Sequence, residues 1–492
     1  MPNELLRQYH LFQFIKQHPP EFERMTVPST IHQIPLIFLT LFLLSGCSST
    51  SLEQKSPLVL PQHFSITGQP QPDVRWWTVF DSVELNKLVD QALTSNFSLL
   101  GTRERIEQSR AVARKSGAAL SPELDLEANT TTTRDLNENS SSDSFFFGFA
   151  ASYELDLWGR LRSSRNALEL EAQATESDYQ VAALSLAGEM STTWFQLIES
   201  EQQIKLLEKQ KNLNNRILEL LSLRFRSGTS PLVDVLQQRQ LVETNASEQT
   251  SLRATIDLLK RQIILLLGNL NPQLPDIPEM LPDLPKLPDT GIVVSILSRR
   301  PDVNAALLRM QSSNASLAAA IADRLPRISI SGDFTTSSQH AGDLFSNWFT
   351  RLGANLLGPL LDGGRRQAEV DRTKALSRQL WFTYGQKMLE AINEVEEILI
   401  RERELQTLSA SLRRRLTLAA QTIEQASNRY RQGSEDYQRV LSSLLSHQAL
   451  QREQLKNQRQ LIGNRIALYR ALSGPLPAMD SKPNQSASDT TQ

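Results

Sequence analysis

The chain states one pattern twice. Arg224-Phe225-Arg226-Ser227-Gly228, followed by Val235-Leu236, returns as Arg429-Tyr430-Arg431-Gln432-Gly433, followed by Val440-Leu441, with the two glycines 205 residues apart. The same offset, to within one residue, joins Pro122 to Pro326 and Trp158-Gly159-Arg160 to Gly363-Gly364-Arg365. It also joins Asn96-Phe97-Ser98-Leu99 to Arg300-Pro301-Asp302-Val303, and Leu267-Gly268 to Ser473-Gly474. Landmarks in one order at one spacing define a tandem duplication. Any fold for this chain must be assembled from two copies of one unit.

Within the unit the hydrophobic period changes. Leu85, Leu88, Val89, Ala92 and Leu93 have helical spacing, and the helix is read as continuing to Gly117. After Ser121-Pro122 the period drops to two, Leu124, Leu126 and Ala128 alternating with Asp125, Glu127 and Asn129. Thr130 to Asp143 reads as a polar loop. Then Phe145, Phe147, Phe149, Ala151, Tyr153 and Leu155 share one face of a second strand. From Arg160 a helical pattern runs to Ser227, about 100 Å of helix at 1.5 Å per residue. Gly228-Thr229-Ser230-Pro231 reverses it, with Pro231 suited to the first helical position, and a second helix returns to Leu267-Gly268.

The second copy repeats the plan: helix from Ile292 to Asp323, a strand carrying Ile328, Ile330, Gly332 and Phe334, and a partner carrying Trp348, Thr350, Leu352, Ala354 and Leu356. A long helix from Arg365 to Arg431, a turn at Gly433 and a return from Ser434 to Leu472 complete it. Along that long helix Ala391, Ile398, Leu405, Leu412, Ala419 and Ala426 fall seven apart. Met388, Val395, Leu416 and Ile423 form the companion seam, polar at Glu402 and Ser409, as a coiled coil requires.

These periods divide the chain into a signal region (1–46), a lipidated N-terminal segment (47–81), repeat 1 (82–270), a linker (271–291), repeat 2 (292–474) and a disordered tail (475–492). Pro272, Pro275, Pro278, Pro282, Pro285 and Pro288 make the linker extended rather than helical. The only cysteine, Cys47, follows the apolar run Ile34 to Leu44 and Ser45-Gly46. Eleven residues are too short to span a bilayer and have the length of a signal's apolar core. Leu44-Ser45-Gly46-Cys47 resembles a bacterial lipobox, in which the cysteine is acylated and becomes the mature N-terminus. Ser48-Ser49-Thr50 lacks the aspartate of an inner-membrane retention signal, which leaves outer-membrane sorting. Translation is expected to start at Met25.

Aromatic residues are 6% of the chain and the net charge is −2, with acids and bases interspersed, so neither a large globular core nor a nucleic-acid surface is indicated. The six histidines are scattered without metal-ligand spacing, no cofactor motif is present, and no catalytic constellation emerges. Asp362-Gly363-Gly364-Arg365 lacks the Lys-Ser/Thr of a phosphate loop, so Asp362 is read as a helix cap.

Each chain thus offers four strands, apolar on one face, and two long helical hairpins. A sheet in lipid must close, and four strands are fewer than the smallest bacterial barrels. The copies must assemble, each giving part of one barrel that helices continue into the periplasm.

Several motifs, in order, resemble the TolC-like outer membrane efflux family, lipoprotein subfamily of the OprM/NodT kind. They are Arg75-Trp76-Trp77 with Phe80 and Leu85, Tyr153 to Arg160, Arg299-Arg300-Pro301-Asp302-Val303, Leu361 to Arg365, and the two glycine turns. The resemblance implies a mainly α protomer with a transmembrane β part, assembled as a homotrimer with a twelve-stranded barrel and a twelve-helix tunnel. It implies a periplasmic adaptor and an inner-membrane pump of the resistance–nodulation–division type as partners, beside the lipid bilayer. It places adaptor docking at the turns of Gly228 and Gly433 with Arg226 and Arg431, although cations there also suit the helix dipole. Related tunnels narrow through aspartates near the second turn. Here Asp234 stands after the first turn, while Arg439 holds the equivalent place after the second and Asp436 lies nearby. The expected gate has Arg439 and Tyr430 meeting Asp234 of a neighbouring helical pair. Two alternatives are a lipid-anchored coiled-coil scaffold without a channel and a duct for secreted proteins.

Overall fold

The structure is a computed structural model and describes residues 60–66, 75–136 and 140–476. The signal region, Met25 and Cys47 lie outside the described residues, as does the tail beyond Leu476.

Each copy contains the same elements in the same order, and three of its helices keep the same length. The first has helices α1 (Val83–Ser95) and α2 (Phe97–Ala118), strands β1 (Glu123–Asp135) and β2 (Ser140–Leu155), and helices α3 (Arg160–Arg226) and α4 (Leu232–Leu267). The second has α5 (Val293–Arg299), α6 (Pro301–Ala322), β3 (Arg327–Ser338), β4 (Trp348–Leu357), α7 (Arg365–Arg431) and α8 (Tyr437–Leu472). α2 and α6 have 22 residues each, α3 and α7 have 67, and α4 and α8 have 36.

Three expectations are corrected. The helix read from Leu85 to Gly117 breaks at Asn96, whose side chain accepts from Leu99 N at 3.0 Å and so starts a new helix. The helix read from Ile292 to Asp323 breaks at Arg300, because Pro301 has no N–H to continue it. The polar segment from Thr130 to Asp143 is mostly strand: β1 and β2 pair as far as Asp135 and Ser140. Smaller shifts fall at caps, where Pro231 precedes α4 and Asp436 precedes α8 as N-cap.

The breaks have a purpose in the packing. α3 and α7 run uninterrupted for about 100 Å. Beside α3 lie α4 and α2, meeting end to end. Ser95 Oγ donates to Leu267 O at 2.6 Å and Asn96 Nδ2 to Leu266 O at 2.9 Å, which satisfies carbonyls at the end of α4. Gly268 sits at φ 62° with a would-be Cβ only 2.4 Å from Ser95 O, so this joint admits glycine alone. In the second copy Arg300 Nη1 donates to Ala471 O at 3.2 Å across the joint of α8 and α6. The lateral order is α2–α3–α6–α7 near the strands and α4–α3–α8–α7 near the turns. α2 and α4 therefore form one margin of the chain, and α7 forms the other.

The strands form one antiparallel sheet in the order β1-β2-β3-β4. Its register aligns the apolar alternations of all four strands. Leu126 is opposite Phe149, Phe149 opposite Phe334, and Phe334 opposite Thr350. Ala128, Phe147, Thr336 and Trp348 form the next rung, while Ala151, Gly332 and Leu352 form the one on the other side. The opposite face carries Asp125, Glu127, Ser152, Asp333 and Arg351. Trp158 Nε1 ties the end of β2 to the start of β3 by donating to Pro326 O at 2.6 Å.

The largest core gathers Trp76, Trp77 and Phe80 against Trp194, Phe195 and Tyr469, with Leu281 of the segment between the repeats. Of the seam residues on α7, Met388, Ala391, Val395, Ile398, Leu412 and Ala426 are buried, and Leu405, Leu416, Ala419 and Ile423 are half-buried. The polar seam position Glu402 is buried too. It pairs with Arg465 of α8 and accepts from Asn464 Nδ2 at 2.9 Å and Gln406 Nε2 at 2.8 Å. Arg465 Nη1 also donates to Pro285 O at 2.7 Å, pinning the proline-rich segment to the helices.

Candidate functional site

Two regions carry the chemistry that the sequence points to: the helical turns and the apolar face of the sheet. The turns share one backbone. Gly228 N donates to Phe225 O at 3.0 Å and Thr229 N to Arg224 O at 2.9 Å. Gly433 N donates to Tyr430 O at 3.1 Å and Ser434 N to Arg429 O at 3.0 Å. This is the paired-bond helix stop that needs a left-handed residue, and the glycines supply it at φ 72° and 75°. Arg224 and Arg226, like Arg429 and Arg431, occupy the last turn before it, facing the negative end of the helix dipole.

Side chains distinguish the turns. Asp234 is buried and accepts from Ser230 Oγ at 2.9 Å. At the equivalent positions Arg439 pairs with Glu435, and Arg429 approaches the same carboxylate at 3.7 Å. Asp436 and Arg439 are exposed. Tyr430 lies under the Arg224 guanidinium, 4.6 Å from its ring centroid, and 5.7 Å from the ring of Tyr437. Its hydroxyl is buried with no hydrogen-bond partner among the described residues. Within one chain, then, Arg439 meets Glu435 and Tyr430 meets Arg224. Asp234 lies close enough to Tyr437 for its charge to act on the phenol.

Several residues here were missed in the sequence. Tyr437 donates its hydroxyl proton to Gln238 Oε1, and Gln238 Nε2 donates to Asn214 O at 2.7 Å. Asn214 and Gln448 exchange amide hydrogen bonds at 3.0 and 3.3 Å, and Arg452 Nη1 donates to Gln210 Oε1 at 2.7 Å. This buried polar ladder joins α3, α4 and α8 above an apolar cluster of Leu221, Val235, Leu241, Val440 and Leu444. Burial pushes the Tyr437 phenol above its ordinary value, and the Asp234 charge adds to the shift. The signal that could have found the ladder is polar side chains at positions whose spacing assigns them to the buried seam.

On the sheet, Leu124, Leu126, Leu352 and Leu356 are exposed on the apolar face, with Phe147, Phe334, Phe345 and Trp348 clustered at one end. β1 and β4 have unpaired outer edges among the described residues. No helix among them is long and apolar enough to cross a membrane. No cluster of metal-ligating side chains occurs among them.

Asp362 accepts from Gly364 N at 3.0 Å and Arg366 N at 3.3 Å, which is the helix-capping role read for it.

An unclosed sheet with a lipid-compatible face, continued by paired helices of this length, defines a membrane channel component. The sequence pattern of the outer membrane efflux protein family matches residues 88–269 and again residues 292–474, and the chain belongs to that family. It is similar to the pyoverdine export outer membrane protein OpmQ of Pseudomonas putida, 29% identical over 472 residues that cover 92% of this chain and 98% of that protein. It is also similar to the cation efflux system protein CusC of Escherichia coli K12, 25% identical over 89% of this chain and 98% of that one. Its structure matches a crystal structure of CusC with a TM-score of 0.81 at 25% identity, covering 86% of this chain and 99% of that one. A membrane protein from Pseudomonas aeruginosa matches at 0.79 and 26% identity, over 87% and 100%. The family is one of channel and transport proteins.

Proposed function

We propose that the chain is the outer-membrane exit duct of a tripartite efflux pump, passing small toxic compounds outward without catalysis. The observation that carries this is the register of the sheet: one face is apolar across all four strands while both edges stay open. In lipid such edges must be paired, so copies join into one barrel. Three copies give twelve strands and a tunnel of twelve helical columns. Cys47, acylated, anchors each copy to the outer membrane. The turns at Gly228 and Gly433, with Arg226 and Arg431, meet a periplasmic adaptor, and an inner-membrane pump of the resistance–nodulation–division type supplies the energy. The names of the relatives, which export pyoverdine and cations, support small cargo over secreted protein. A coiled-coil scaffold would leave the apolar face of the sheet without a purpose.

At the turns, Arg439 and Tyr430 of one helical pair meet Asp234 of the next and hold the tunnel narrow, with Asp436 beside them. This exchange competes with the contacts inside the chain, where Glu435 and Arg224 hold the same two side chains.

The test is planar-bilayer conductance of the lipidated protein, with its oligomer mass measured in the same detergent. A trimer forming discrete pores is expected. A monomer that never conducts would leave the scaffold as the better reading. Arg439→Ala is expected to raise open probability, and unchanged conductance would remove the gate as drawn.

A further inference from the structure

The duplication offers two grooves for comparison, α2 on α3 in the first repeat and α6 on α7 in the second. α2 is the counterpart of α6 at an offset of 204, and α3 of α7 at an offset of 205. Ala113 then corresponds to Leu317 and Arg165 to Val370. Leu317 and Val370 are 7% and 8% exposed and, with Ala320, seal the second groove by apolar packing. The first groove is not sealed. It holds a cavity of about 690 Å³, walled by Arg110, Arg114, Gly117 and Ser121 on one side and by Arg165 and Glu176 on the other.

Charge separates the two grooves in the same sense. α2 carries five cations against Glu104 and Glu107, whereas α6 carries Arg309 against Asp302. Within the cavity Arg110 is held by Glu107 at 2.8 Å and by Glu176 at 3.2 Å. Arg165 gives Nε to Glu169 at 2.7 Å, and its two terminal nitrogens have no partner among the described residues. Arg114 has no acidic partner among them. The stem of Arg165 lies over Gly117, whose would-be Cβ stands 3.3 Å from Arg165 Cδ. A side chain at residue 117 would crowd that stem, so glycine lets the guanidinium cross to α2.

We infer that the groove between α2 and α3 is a binding site for a phosphate group, carried by a phospholipid or free in solution. Three arginines against Glu169 and Glu176 leave the walls one positive charge in excess, which matches a phosphodiester. A guanidinium fork offers paired donors to two oxygens of such a group. The level of the site favours the lipid. Arg114 lies near the end of α2 and Arg165 near the start of α3, both within roughly 10 Å of the strands along the helices. Headgroup layers extend about 5–8 Å beyond the hydrocarbon on each side of a bilayer. Leu124 and Leu126, just past Ser121, begin the exposed apolar face of β1. In the second repeat the same space is taken by Leu317 and Val370, and Asn314 stands where Arg110 does in the first.

The lipid source rests on the barrel proposed above, whereas the phosphate site does not, and the test separates them. The full-length protein is delipidated in detergent and titrated with phosphatidylglycerol and, separately, with inorganic phosphate, binding being read by native mass spectrometry and equilibrium dialysis. Arg114→Ala with Arg165→Ala should weaken binding at least about tenfold, as loss of hydrogen bonds to a charged group does. Ala113→Leu with Arg165→Val rebuilds the second groove in the first and should abolish binding with helicity unchanged, since the second repeat already packs those residues. Arg103→Ala with Arg105→Ala removes equal charge from α2 outside the cavity walls and should change affinity less than about twofold, because charges exposed to solvent are screened. Binding of phosphatidylglycerol identifies a lipid headgroup as the occupant, and binding of inorganic phosphate alone identifies the free ion. Binding of neither, or an equal loss in the 114/165 and 103/105 variants, overturns the site. Phosphate binding by a protein that never conducts would keep the site and remove the barrel.

Discussion

The two turns have the same backbone and different chemistry, and so do the two repeats above them. Around Gly228 the exposed side chains include Leu223, Leu232, Val233 and Leu236, and a buried Asp234 is held by a serine. Around Gly433 the counterparts of the first three are Asn428, Tyr437 and Gln438, and the Asp234 counterpart is an exposed arginine paired with Glu435. Hydrogen bonds of the main chain and one glycine fix each reversal, so side chains were free to diverge without moving it. Higher up, the second repeat buries Arg465 against Glu402, whereas the counterpart Lys260 pairs with Glu201 near the surface. Equivalent positions in the two repeats therefore carry unequal energetic weight.

That inequality can be measured. The largest effect is expected from Arg465→Ala, which strands Glu402 in the interior and should cost about 3–5 kcal/mol. Lys260→Ala, at the matching site, should cost under about 1 kcal/mol. Urea midpoints in detergent compare them, and equal costs would mean that the burial difference does not matter. Next comes Gly268→Ala, where the new Cβ would meet Ser95 O in addition to the left-handed strain, so a loss of at least about 2 kcal/mol is expected. Gly228→Ala and Gly433→Ala have open space and should each lose only the conformational term of about 1–2 kcal/mol, equally, by the same assay.

A smaller effect than at the glycines belongs to Tyr437→Phe, which leaves Gln238 Oε1 without its donor and should cost about 1 kcal/mol. This substitution also predicts a pH dependence. The folded phenol is shifted up, so above the ordinary tyrosine value of about 10 the unfolded chain loses the proton first. Stability should be whole below that pH and fall above it. Tyr437→Phe should flatten this alkaline limb in a pH series of unfolding midpoints, whereas Leu232→Ser at the matching site of the first turn should leave it unchanged.

Much of this was legible in the residues. Glycine spacing gave both turns, the change of period gave the hairpins, and Asp362 before Gly363-Gly364 gave a cap. The joints at Asn96 and Arg300 were harder, since good helical spacing runs up to them from both sides. Only Asn96 acting as a cap, or Pro301 read as a first helical residue, betrays the break. The Tyr437–Gln238 bond joins residues 199 apart and has no local trace. The single apolar face of the sheet needs the register of β2 on β3, which depends on pairing between the repeats.

The joints also set how force would travel. Both fall beside an unbroken helix, as staggered joints in masonry fall against whole bricks. At the first, side-chain bonds from Ser95 and Asn96 cross the gap, and at the second Arg300 does so. A sideways push on the turns reaches the strands stiffly through α3 and α7, while the spliced columns give at their joints. The chain thus has two unbroken beams and two spliced columns, each splice tied across by side-chain hydrogen bonds to the carbonyl end of the adjoining helix.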